Sequence, residues 1–190
     1  MKEENIQNKK ENSLLNTLWD WVKTIIVALA ITFFVKMFIV DATIVSGKSM
    51  LNTLHDGDWL MVNKVGKHFR DYKRGEIVIL NAPDFPNRLY VKRVIGVPGD
   101  FVELRDGDVY VNSEKLEEKY LDVDHTPAKT DQVGWVLGDN EYLVFGDNRT
   151  NSNDSRDFGQ IYKEEIVGHA FFRIYPFADA GMIDNNPYGN

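Results

Sequence analysis

The chain has 190 residues, 43% of them hydrophobic and 12% aromatic, enough for one ordinary core at roughly 100–200 residues per domain. A net charge of −7 excludes a sequence-independent nucleic-acid surface, because that binding rests on clustered Lys and Arg neutralising phosphates. No cysteine is present, which removes disulfides, thiolate catalysis and cysteine-based zinc sites together.

Residues 1–17 are rich in Lys, Glu, Asn and Gln without apolar periodicity, so a mobile polar tail is expected. Composition changes at Leu18. Between Lys23 and Asp41 lie seventeen residues of which Lys36 is the only charged one, at the lower edge of what a spanning helix needs. Lys36 stands near the end of the run, where a long side chain can snorkel to the headgroups, and Trp19 and Trp21 suit an aromatic belt at the other end. The expectation is a transmembrane anchor over residues 18–40. Lys2, Lys9, Lys10 and Lys23 precede it while only Lys48 follows closely, which puts the N-terminus in the cytoplasm and residues 41–190 outside. A removable leader cut after Ala42 is the competing reading, since Val40 and Ala42 are small enough for the −3 and −1 positions.

After the anchor the pattern turns to short, turn-bounded, β-rich segments. Trp59 to Val62, Glu76 to Leu80, Leu89 to Gly96, Phe101 to Leu104, Val109 to Val111, Tyr142 to Phe145 and Ala170 to Tyr175 read as strands of a mainly β domain. Asp106-Gly107 can take the positive φ values of a tight hairpin turn between two of them. Residues Glu114 to Asn140 are polar, contain Pro127 and lack alternation, so a looped insertion is expected.

The chemistry centres on Val45-Ser46-Gly47-Lys48-Ser49-Met50, directly after the apolar run. Gly47-Lys48-Ser49 could end a phosphate-binding loop, which needs a helix N-terminus next. The β-branched residues before it are stiff, and Met50 to Asp58 runs into a turn instead of a helix. A serine nucleophile needs a base. His55, His68, His125 and His169 each lie in polar or turn-like stretches, and no Gly-x-Ser-x-Gly elbow exists. Lysine serves as a base only when burial keeps it neutral. Lys92 stands in a run otherwise made of aromatic and β-branched residues, sharing a strand face with Tyr90 and Val94 while Arg93 points the other way. A desolvated amine and an edge-strand lysine fit that pattern equally.

Three boxes in order, Val45 to Met50, Lys92-Arg93-Val94-Ile95-Gly96-Val97-Pro98-Gly99-Asp100, and Gly146 to Arg156, resemble those of type I signal peptidases of the short, single-anchor branch. The resemblance covers the chain from Leu18 onward and implies a β-rich peptidase domain behind a membrane anchor. It implies a serine endopeptidase with Ser49 as nucleophile and Lys92 as general base, and the Ser49 N–H as an oxyanion donor beside the Gly47 turn. Some relatives supply a serine hydroxyl two residues before the nucleophile; here that residue is Gly47. Ser152 maps onto a serine that hydrogen-bonds the lysine amine, Asp154 and Arg156 onto an ion pair that shapes the site, and Tyr90 shares the lysine's strand face. Val45, Ser46 and Met50 would meet the substrate, the signal peptide of an exported preprotein, added as an extended strand beside Ala42 to Lys48. Apolar surface around Met50 and Leu51 would touch membrane lipid, and translocation machinery is a further partner. No nucleic acid, cofactor or metal is implied. A calcium loop at Gly146 to Gly159 fails because Ser152 stands where glycine is needed. Asn52 stands where the family commonly has proline, which leaves the turn less stiff and implies altered efficiency or substrate fit. A self-cleaving Ser/Lys repressor and a non-catalytic membrane-anchored β module are the alternatives.

Overall fold

The structure is a computed structural model and describes residues 18–32, 40–123 and 125–188, the side chains of Lys67 and His68 excepted. The expected tail, and the part of the expected anchor that holds Lys36, lie outside the described residues. Residues 18–32 form helix α1, whose apolar side chains Trp19, Trp21, Ile25, Ile26 and Leu29 are exposed. Thr24 and Thr32 donate their hydroxyls to the carbonyls of Asp20 and Ala28, each at 2.8 Å, so these polar groups are satisfied within the helix. Among the described residues no helix is long and apolar enough to cross a membrane. The chain divides into two units, Met1–Ile39 and Val40–Asn190. Val40 opens a strand and does not belong to the helix.

The second unit is mainly β, as the segment pattern predicts. Its strands are β1 (Val40–Ile44), β2 (Trp59–Asn63), β3 (Ile77–Asn81), β4 (Leu89–Gly96), β5 (Phe101–Arg105), β6 (Asp108–Val111), β7 (Glu114–Lys115), β8 (Gly134–Val136), β9 (Glu141–Phe145), β10 (Ile161–Tyr162), β11 (Ile166–Tyr175) and β12 (Gly181–Met182). They pair antiparallel into a large sheet ordered β1-β2-β11-β3-β4-β9-β10, with β12 on β11, and a small sheet ordered β7-β6-β5-β8. Two short α-helices, α2 (Gly66–Phe69) and α3 (Ser155–Phe158), lie in connections between strands.

β3 shows why the large sheet holds. Its run Ile77-Val78-Ile79-Leu80 is apolar at every position because both faces are covered. Ile77 and Ile79 pack with Val45, Met50, Leu54 and Leu60, whereas Val78 and Leu80 pack with Tyr72, Val94, Tyr142 and Ile166. A third cluster, with Ile95, Leu143 and Phe145 from the large sheet and Val102, Val109 and Trp135 from the small one, joins the two sheets. The hairpin turn is as expected, with Asp106 at φ 52° and Gly107 at φ 89°.

Two expectations change. Residues 114–140 are not wholly looped: β7 and β8 extend the small sheet, and Glu118, Tyr120 and Thr126 bond to the buried Arg149. Charged and tyrosyl groups carry this attachment, so no apolar alternation announces it. A cut after Ala42 would sever β1, whose five residues pair with β2, which argues against a removable leader.

Candidate active site

Ser49 stands at the exit of β1, in a turn that neighbouring backbone holds closed. Val45 N–H donates to Asp58 O at 2.8 Å and Gly57 N–H to Val45 O at 2.9 Å. Gly47 has φ 103°, a conformation side chains resist, and its N–H donates to Asp56 Oδ1 at 2.7 Å. Gly47 is therefore a turn residue with its donor already used. The Ser49 N–H makes no hydrogen bond within the protein among the described residues and remains available to an oxyanion. No helix follows Ser49, so the phosphate-loop reading has no N-terminus to use.

Lys92 is paired with Val78 of β3 on one side only, yet no more than 2% of it is exposed, so it is a desolvated amine even though its half of β4 has an open edge. Its Nζ stands 2.8 Å from Ser49 Oγ and donates to Val91 O at 3.1 Å, with the Tyr90 ring centroid 5.0 Å away. Burial lowers the amine from its ordinary value to about 8; Asp154 acts against that shift and Lys129 with it. The hydroxyl that Lys92 touches has no other side-chain partner among the described residues. His169 bonds instead to Arg70, at 3.2 Å.

A cleft of about 340 Å³ opens in front of the pair, lined by Ile44, Val45 and Ser46 on one side and Leu89, Tyr90 and Val91 on the other. Both walls are strand edges. β1 ends the large sheet, and β9 pairs with β4 only from Arg93 onward, so Leu89 to Lys92 pair with β3 alone. Met50, expected to meet substrate and to border lipid, is 1% exposed and packs in the core with Val45 and Leu54. It anchors the turn from inside, its side chain directed away from the cleft that the Ser49 hydroxyl faces.

The loop from Gly146 to Arg156 lies behind the pair. A Cβ on Gly146 would collide with Ser152 Oγ and with the Ser49 carbonyl, so only glycine lets the two loops approach. Asn148 fastens the Ser49 turn, its N–H to Ser49 O and its Nδ2 to Lys48 O, each at 3.0 Å. Asp154 and Arg156 form the expected buried ion pair at 2.7 and 2.9 Å. Burial alone would raise the Asp154 carboxyl, but Arg156 and the Gly146 N–H hold it below its ordinary value. Ser152 does not make the expected contact with the lysine. Its Oγ is buried without a well-formed hydrogen bond, packed by the Gly146 backbone beside Ser49 and turned toward the Asp154 carboxylate.

The buried pair Arg93–Asp147, joined at 2.9 and 2.7 Å with Thr53 donating to the same carboxylate, has no counterpart among the residues expected from the sequence. Alternation points Arg93 away from Lys92, but its partner stands fifty-four positions along the chain, where no local signal reaches. Asn52 has φ 80°, and the N–H groups of Thr53 and Leu54 both return to Met50 O. A proline ring fixes φ near −65°, so at this position proline would oppose the turn it is expected to stiffen. Asn52→Pro should therefore lose roughly 1–3 kcal/mol, while Asn52→Gly stays within a few tenths; urea titrations of the two variants measure this. Equal stability of the proline variant would contradict the left-handed turn.

The family model for signal peptidase, peptidase S26, matches residues 18–175. Signal peptidase I S of Bacillus subtilis (strain 168) is 39% identical over 186 residues, 93% of this chain and 96% of that protein. A signal peptidase I of Bacillus licheniformis is 38% identical over 97% of this chain and 100% of its own length. Among solved structures, a signal peptidase I from Enterococcus faecalis V583 matches with a TM-score of 0.46 at 30% identity, covering 53% of this chain and 97% of that one. By the extent of the family match and by relatives aligned over nearly their whole length, the chain belongs to the signal peptidase family, peptidase S26, and is a peptide-bond hydrolase.

Proposed function

We propose that the protein is a membrane-anchored serine endopeptidase that removes N-terminal signal peptides from exported preproteins with a Ser49/Lys92 dyad. The observation that carries this reading is the buried Lys92 amine 2.8 Å from Ser49 Oγ. A neutral amine accepts the hydroxyl proton as Oγ attacks the scissile carbonyl, then returns it to the leaving amine nitrogen as the acyl-enzyme forms. The same amine takes a proton from water to release the acyl group. The Ser49 N–H faces the developing oxyanion. Tyr90 covers the amine, and Asp154 and Arg156 hold the loop behind it.

An extended peptide can pair with the open edge of β1 and the unpaired half of β4. Alternate side chains then face one wall, so residues −1 and −3 share shallow space beside Ile44, Val45 and Leu89 and must be small. The membrane part of the proposal rests on the apolar run after Lys23 and on the exposed apolar surface of α1. With basic residues before that run, the N-terminus lies in the cytoplasm and the peptidase domain on the outer side of the cytoplasmic membrane, in reach of lipid and of the translocation machinery.

The pH dependence tests the base. Activity requires the deprotonated amine, so kcat on a preprotein in detergent rises with pH through a midpoint near about 8 as a single-proton limb. A limb near about 6.5 that disappears when one histidine is replaced would favour a histidine base and overturn the dyad.

A further inference from the structure

The segment from Thr126 to Thr130 is strapped along the loop that carries Ser152, Asp154 and Arg156. Thr126 Oγ1 accepts from Arg149 Nη1, Pro127 O accepts from Arg156 Nη1 at 3.0 Å, and Thr130 Oγ1 donates to Arg156 O at 3.5 Å. Lys129 is the pivot of this strap. Its Nζ donates to the Ser152 carbonyl and stands 2.5 Å from Asp157 Oδ2. Asp157 in turn accepts the Asp154 N–H at 3.0 Å and closes the cap of α3. The dyad makes no direct use of this cation, which belongs to the insertion between the Lys92 box and the Ser152 box.

We propose that Lys129 is a positioning residue of the site, holding the Ser152 backbone and the Asp157 cap of α3 in the loop behind the dyad and placing a second cation there. The proposal rests on Lys92 acting as the general base. Among the charged groups that act on Lys92 are Asp154 at the cap of α3, Asp147 in the loop after β9, Asp84 in the β3–β4 connection and Lys129, with the Tyr90 ring beside it on β4. These three carboxylates favour the protonated amine, and Lys129 opposes them along with burial. Lys129 also neutralises Asp157, so a further carboxylate is kept from adding to that set.

Removing the charge then makes Lys92 harder to deprotonate. Lys129→Met and Lys129→Gln should each raise the midpoint of kcat against pH by roughly half a unit, about threefold in kcat on the acid limb, with KM little changed. Lys129→Arg keeps the cation and should restore the parental midpoint. The glutamine variant can still donate to the Ser152 carbonyl, so a shift in both neutral variants assigns the effect to charge. A purely structural strap would lower the melting temperature in all three and leave the midpoint where it was, and that result overturns the proposal. Lys92→Ala belongs in the same series. If it retains activity, the dyad itself is lost and this inference with it; if it is inactive while the neutral Lys129 variants keep the parental midpoint, only this inference fails.

Discussion

Ser49→Ala and Lys92→Ala should each lower preprotein cleavage by about four orders of magnitude or more, while Lys48→Ala should leave it near normal. On the proposed dyad the two losses should be of one size, because a nucleophile and its base act as a unit, and the double variant should be no worse than either single one. Lys48 is exposed, and what the site uses of it is its carbonyl, which Asn148 and the Leu51 N–H bind. Lys92 carries a second, opposite expectation. Its amine titrates at about 8 when folded and at about 10.4 in an unfolded chain, so between those values the unfolded state binds the extra proton. Stability from this group rises with pH across that window, and the group destabilises the fold fully below it. Lys92→Met should therefore melt above the parent at pH 7 while losing all activity. Full activity in Lys92→Ala, measured on a preprotein in detergent, would falsify the dyad.

How much of this is legible in the amino-acid sequence depends on where each signal sits along the chain. β4 is legible to the residue, because Leu89 to Gly96 is long, β-branched and bounded by turn residues. The hairpin at Asp106-Gly107 is equally plain, for a local turn signal needs no distant partner. β7, β10 and β12 are two residues each and carry no periodicity that a sequence could show. At the site, the face alternation of β4 separates Lys92 from Arg93 correctly but cannot bury either one. Arg93 is buried between β3 and β9, and Lys92 by β3 and the Ser49 turn that meets its amine, a matter of contacts between segments far apart. Met50 misleads for the same reason. A methionine beside a serine nucleophile looks like cleft lining, yet the turn sends the two side chains in opposite directions. Asn52 suggests a loss of stiffness because the sign of φ cannot be seen in the letters.

Asp147→Ala should be strongly destabilising although it lies outside the apolar core. Arg93 and Asp147 are each about 1% exposed or less as side chains, and both carboxylate oxygens are taken by the guanidinium, at 2.9 and 2.7 Å. The guanidinium also donates to Gly75 O at 2.7 Å and lies 4.1 Å over the Tyr120 ring, neither of which cancels its charge. Stripping away the carboxylate leaves a buried cation without a counter-charge, at a cost of about 3–5 kcal/mol. In a domain of this size that is roughly a 10 °C fall in melting temperature. Arg93→Met combined with Asp147→Ala removes both charges and should recover a good part of the loss, since a buried pair often contributes little net stability over apolar groups of similar size. The carboxylate has a further task that the double variant cannot recover: it holds Thr53, whose N–H closes the turn on Met50 directly after Ser49, the proposed nucleophile. Stability and kcat should thus separate, the double variant folding well but cleaving slowly. A single Asp147→Ala variant that melts within a degree or two of the parent would show that Arg93 finds water or another partner, and that the pair does not hold the nucleophile turn.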